Sequence, residues 1–222
     1  MDLSLSIQNL SIRFIPFILA VVFHEYGHGL IAKLFGDKTA EKEGRLTLNP
    51  LPHIDPLGTL VLPMINMFSG TNFLIGWAKP MPINPARFSH YKKGMIWVSL
   101  AGPLTNMVLA FISGLVLFTL QRWVGPSFFF YEPLFKMAYS SVMINYGLAI
   151  FNLLPLPPLD GAQLVRAMLS YEASRKFDMI AQYSFFIFLA LMFSGLFSLL
   201  ALPITLFTGL TLWFTEKIVY LF

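Results

Sequence analysis

Cysteine is missing from the chain altogether, which rules out disulfides and thiolate metal ligands and leaves the redox compartment unmarked. Charge is scarce as well. Asp, Glu, Lys and Arg make up 12% of the 222 residues, against about 25% in ordinary soluble domains, too few to cover a solvated surface. There is no internal repeat, no low-complexity tract and no composition break that would mark a second domain. The opening residues carry no basic cluster, so the first apolar stretch reads as a retained helix and not a cleaved signal segment. The formal charge of +4 is mild; it reads as orientation in a membrane and not as nucleic-acid binding.

What the chain does have is apolar length. Hydrophobic residues make up 56% of it and the mean hydropathy is +0.69. An α-helical polytopic membrane protein follows, organised as one domain over residues 1–222. Each spanning helix needs roughly 20 apolar residues. Apolar stretches run over 12–35, 57–77, 94–121, 136–159 and 181–214, for about five to six membrane segments. The stretch 57–77 is broken by Pro63, Gly70 and the polar Ser69, Thr71 and Asn72. The last is too long for one comfortable helix. It predicts a pair of short helices or one kinked long one, in an apolar C-terminal segment of about 181–220 following a core of about 12–165.

Eleven of the fifteen Lys and Arg residues lie at Lys33 and in 37–56, 79–93 and 161–179. Basic loops favour the cytoplasmic side. With all three segments there, 94–121 and 136–159 form an antiparallel pair, and 57–77 must enter and leave on one side as a re-entrant hairpin. Such irregular backbone is tolerated only where protein or a water-filled cavity surrounds it. The alternating run Arg45-Leu46-Thr47-Leu48 predicts a short strand.

The first apolar stretch contains His24-Glu25-Tyr26-Gly27-His28, the H-E-x-x-H pattern. Positions four apart lie one turn above each other on a helix, so both imidazoles can reach one ion. Glu25, beside the first of them, is placed to take a proton from water at the metal without itself being a ligand. Three ionisable groups in five residues of a membrane helix are expensive, about 2.5–3.5 kcal/mol for a charged residue at the centre. A helix that only spanned would carry Leu there.

Catalytic zinc usually takes three protein ligands, and the candidate third is Asp160, at the end of Asn152-Leu-Leu-Pro155-Leu-Pro157-Pro158-Leu-Asp160-Gly161. The charge count puts it on the same side as the two histidines. By itself, Asp-Gly after prolines reads equally as a turn. His53 and Asp55, between Pro52 and Pro56, are rivals: as a ligand, as a partner orienting an imidazole, as a lid over the site, or simply as a polar turn. His90 lies in a basic loop and reads as solvated. Gly27 and Gly29 suit close helix packing.

The H-E-x-x-H helix followed by N-x-x-P-x-x-P-x-D-G on a later helix resembles the site-2 protease family of intramembrane zinc metallopeptidases, in a near-minimal core form. Ser99-Leu-Ala-Gly102-Pro103-Leu-Thr-Asn106 is similar to the A-G-P-x-x-N segment of many members. The resemblance covers about 20–165. It implies that His24, His28 and Asp160 bind one Zn2+, that Glu25 is the general base, and that Asn152 holds the substrate or oxyanion. It also implies a small membrane-associated β element over 45–58. The expected activity is hydrolysis of peptide bonds in membrane-embedded substrates, by water activated at zinc. The expected setting is a prokaryotic cytoplasmic membrane with the site opening to the cytoplasm. The expected partners are a membrane protein or peptide and the lipid bilayer, with no nucleic acid. An exposed strand near 45–48 or in the re-entrant segment would pair with an unwound peptide. The competing readings are a proteolytically silent zinc-binding membrane protein, which would need no Glu25, and a small metal transporter, which would spread polar groups over several depths.

Overall fold

The computed structural model describes residues 3–68 and 76–221. Its frame is α1 (Leu3–Leu34), α4 (Tyr91–Thr119) and α5 (Tyr131–Asn152), packed on one another, with α9 (Ala201–Leu221) against α4 and α5. Between them come a short α2 (Thr39–Lys42), a wide turn over Pro56–Val61 leading into α3 (Leu62–Phe68), then α6 (Asp160–Met168), α7 (Tyr171–Ala181) and α8 (Ser184–Phe193). Four of the described helices are long and apolar enough to cross a membrane, or five if the bent pair α7 and α8 makes one span. Leu19, Trp97, Val108, Val116, Leu202 and Trp213 are exposed along them, as lipid contact requires.

Small residues let the helices approach. A side chain at Gly27 would strike the Thr105 hydroxyl and come within 3.1 Å of the Ala101 carbonyl, so α1 and α4 meet at this level only because the position is bare. Phe17, Val21 and Ala78 form one packed cluster, and Ala110, Val142 and Tyr146 another between α4 and α5.

The structure differs from the sequence expectations in several places. No strand occurs among the described residues. The 45–48 run turns instead, because the Arg45 and Leu46 N–H groups both donate to the Ala40 carbonyl, at 2.8 and 3.2 Å, and close the chain back on α2. The predicted β element is therefore absent there, and with it the edge for peptide pairing at 45–48. The 136–159 stretch ends as a helix at Asn152, since Pro155, Pro157 and Pro158 cannot continue the ladder. The polar 161–179 segment forms α6 and α7. The last stretch breaks at Gly195, which adopts φ 75°, a left-handed turn favouring glycine.

Residues 69–75 of the expected hairpin, including its Ser69, Gly70, Thr71 and Asn72, lie outside the described residues. Its two ends do meet. The Trp77 N–H donates to the Gly58 carbonyl at 3.1 Å and the Thr59 hydroxyl to the Trp77 carbonyl at 2.7 Å, as a segment that enters and leaves on one side requires.

Candidate metal centre

Helix α1 stacks His24 over His28, their ring centroids 4.7 Å apart and nearly perpendicular. Asp160 arrives from elsewhere. The turn before it is closed by the Leu159 N–H donating to the Leu156 carbonyl at 2.9 Å, and Asp160 opens α6, where a carboxylate suits the helix dipole. Gly161 is bare for a reason: a side chain there would run into the Leu153 carbonyl and lie 2.5 Å from that of Leu154. The tight approach holds Asp160 against the end of α5.

The three side chains form a small triangle. His24 Nε2 and His28 Nε2 are 3.1 Å apart and lie 3.1 and 3.2 Å from Asp160 Oδ2. Both imidazoles are buried. His28 Nδ1 faces the Val98 carbonyl at 2.7 Å and His24 Nδ1 faces Asn106 Oδ1 at 2.5 Å. These oxygens only accept, so each Nδ1 carries a hydrogen, and in the neutral ring each Nε2 presents a bare lone pair. Asp160 Oδ2 is likewise buried and receives no hydrogen bond. Three lone pairs converging in a buried place repel one another unless a cation lies between them.

The donor set fits zinc. A tetrahedral ion bound at about 2.0–2.1 Å has ligand-to-ligand edges of about 3.3–3.4 Å, close to the observed sides. Gly102 on α4 forms the floor: a Cβ there would lie 2.5 Å from His24 Nε2 and closer still to His28 Nε2, against both imidazoles.

Glu25 stands beside the triangle. Its Oε2 accepts the Met81 N–H at 2.6 Å. Met81 belongs to an extended strip over 76–84 that is tied down along its length. The Lys79 N–H bonds the His53 carbonyl at 2.9 Å, and Arg45 reaches the Lys79 and Pro80 carbonyls at 2.9 and 3.2 Å. The Asn84 N–H bonds Asp37 Oδ2 at 2.6 Å. Burial pushes the Asp37 carboxyl up, but the Thr39 hydroxyl, the Asn84 and Thr39 N–H groups and Arg87 outweigh it and hold the pKa below the ordinary range.

His53 is fully buried in this strip's support, its Nε2 on the Thr47 carbonyl at 2.9 Å; the orienting of the imidazoles falls to Asn106 and Val98. Asp55 caps the wide turn by accepting the Leu57 and Gly58 N–H groups at 3.1 and 2.7 Å. His90 is exposed. Asn152 ends α5 with its amide donating to the Leu148 carbonyl at 3.0 Å. Sequence reasoning singled out the Asn106 motif without assigning it a role, and missed Met81, whose part is played by its backbone and leaves no trace in side-chain type.

The family model described as peptidase family M50 matches residues 127–194, the part that carries Asn152 and Asp160. The provisionally named zinc metalloprotease YwhC of Bacillus subtilis is 37% identical over 191 residues, 85% of this chain and 83% of its own length. The chain belongs to peptidase family M50. Rip2 of Mycolicibacterium smegmatis, also provisionally named a zinc metalloprotease, is 30% identical over 79% of this chain and 64% of its own. The M50 likeness extends to zinc metalloprotease MJ0392 of Methanocaldococcus jannaschii, 30% identical over 76% of this chain and 38% of its own length. No solved structure matches. With M50 membership, the site-2 protease resemblance, the zinc cofactor and the metallopeptidase class stand together in an integral membrane protein.

Proposed function

We propose that this M50 peptidase is an intramembrane endopeptidase that cuts the chains of membrane-embedded proteins, with His24, His28 and Asp160 as its zinc ligands and Glu25 as general base. The observation that carries the reading is the convergence of three ligand atoms, two from a helix suited to cross a bilayer and the third from Asp160 at the start of α6. Ionisable groups at that depth are costly and are kept for a task.

Bound zinc supplies a Lewis acid and lowers the pKa of water towards about 7. Glu25 takes the proton of the attacking water on the oxygen that Met81 does not hold. As the C–N bond breaks, the same carboxyl returns that proton to the leaving nitrogen. The Met81 N–H fixes the orientation of the carboxylate throughout. Asn152, seven residues after Asn145 at the end of α5, is the candidate donor to the developing oxyanion; such a donor contributes about 2.7–4 kcal/mol where it acts. Its amide then leaves the Leu148 carbonyl for the substrate. A membrane helix hides its carbonyls in its own hydrogen bonds, so the substrate must unwind locally before it is cut. The basic loops support a site opening to the cytoplasm in a prokaryotic inner membrane.

The test is cleavage of model transmembrane substrates by detergent-purified protein, wild type beside Glu25→Gln, with zinc measured in both. We expect the wild type to cut inside the apolar segment and the variant to keep its zinc while the rate falls about 10²–10⁴-fold. Preference for soluble extended peptides over membrane segments would remove the intramembrane reading. Zinc in both proteins and cleavage by neither would leave a zinc-binding protein without proteolysis.

A further inference from the structure

Helix α5 carries Asn145, buried to 1% exposure, and Asn106 on α4 is buried completely. Two amides inside a membrane bundle need partners, and their partners form a chain of one direction. It starts at Ser113, whose hydroxyl donates to the Leu109 carbonyl at 2.8 Å. The hydrogen in the 2.8 Å contact between Ser113 and Ser141 therefore belongs to Ser141. The Ser141 oxygen is then left to accept, and Asn145 Nδ2 donates to it at 3.2 Å and to the Ser141 carbonyl at 2.9 Å.

Both amide hydrogens of Asn145 are thereby used, so it turns Oδ1 to Asn106, whose Nδ2 donates to it at 2.8 Å. The other hydrogen of Asn106 goes to the Ala20 carbonyl at 3.1 Å. Asn106 is left with only its oxygen to offer His24 Nδ1. A simple interhelical polar contact would accept either orientation of each amide. Here each step leaves one orientation.

We infer that Asn145 is a positioning residue for the metal centre, which acts through Asn106 to keep His24 in the form that bears its hydrogen on Nδ1. The inference rests on the reading of His24 as a zinc ligand. Without the Asn145 oxygen, the Asn106 amide is held in this orientation by the Ala20 carbonyl alone, and turning over to present N–H to His24 Nδ1 becomes less costly. The imidazole must then carry its hydrogen on Nε2, where Asp160 Oδ2 lies at 3.1 Å. That state is a satisfied histidine–aspartate hydrogen bond which no longer offers a lone pair to an ion. Asn145 thus adds to the Ala20 carbonyl in favouring one of two arrangements of the same side chains, without touching a ligand.

The experiment compares full-length wild type with Asn145→Leu, Asn145→Asp and Asn145→Ala. Zinc affinity is read by chelator competition, and the His24 tautomer by ring nitrogen NMR of the zinc-free protein. Asn145→Leu keeps the branched shape and removes the oxygen; zinc affinity should fall about 10–100-fold, the range for partners that orient metal-binding imidazoles, with His24 shifting towards the Nε2–H form. Asn145→Asp keeps an oxygen for Asn106 and should restore most of the affinity. Tyr146→Phe, on the same helix, loses a buried bond to Thr211 outside this chain and should leave zinc affinity and tautomer unchanged. Asn145→Leu with unchanged affinity and tautomer, or a loss matched by Tyr146→Phe, overturns the inference. If Asn145→Leu does not fold, Asn145→Ala decides: a loss of affinity with His24 shifting towards the Nε2–H form supports it, and unchanged affinity and tautomer overturn it. A His24→Ala variant that still holds zinc at wild-type affinity would overturn the ligand reading itself, and this inference with it.

Discussion

Two groups of buried polar side chains sit in the same bundle and behave differently. Around Tyr146, Thr211 and Thr215, where α5 meets α9, the accounts close locally. The Tyr146 and Thr211 hydroxyls bond each other at 2.5 Å and Thr215 donates to the Thr211 carbonyl at 2.8 Å. Around His24, the chain from Ser113 through Asn106 ends with three lone-pair atoms facing one another when the imidazoles are neutral. Polarity inside a membrane protein does not mark a functional site, because packing uses it too. Acceptors left without donors do, because burial makes such groups costly unless something else occupies the space.

The contrast is sharpest at the ligands. Asp160→Ala should strip the protein of zinc on purification and abolish cleavage, a loss beyond the about 100-fold expected for an orienting partner; metal analysis beside circular dichroism shows whether the fold survives. Gly102→Ala comes next. Alanine favours a helix over glycine by about 1 kcal/mol, yet here its methyl presses against both imidazoles. We expect zinc affinity to fall at least about tenfold with the helix content unchanged, and wild-type affinity would show that the floor of the site yields.

Away from the metal, Asp37→Asn should cost stability and not zinc, about 1–3 kcal/mol at neutral pH for a buried hydrogen-bonded carboxylate. Its folded pKa is lowered, so its stabilisation is complete above the ordinary value of about 3.9 and is lost as pH falls through the lower folded value. Thermal unfolding of the wild type should steepen below about pH 4, and that component should be missing in the variant. The smallest effect belongs to the self-contained cluster: Tyr146→Phe should lower stability by about 1 kcal/mol and leave zinc affinity as it was. A change in zinc binding there would erase the distinction between the two groups.

Much of this was legible in the order of residues. The i, i+4 spacing of His24 and His28 needs only a helix to bring the imidazoles together, and helix is what a long apolar run becomes in a bilayer, where each backbone group must be satisfied within its own segment. The scarcity of charge likewise set the class of protein. The alternating run at 45–48 misled, because a strand needs a partner and the chain there turned back on Ala40. Asp160, one hundred and more residues from the histidines, was a candidate in the sequence and could equally have been a turn. Only the packing of α6 along α4, with Gly161 pressed on the end of α5, brought its oxygen within 3.2 Å of both rings. The direction of the amide chain was decided there too, since hydrogen-bond orientation depends on which groups meet across helices and residue type alone leaves both amide orientations open.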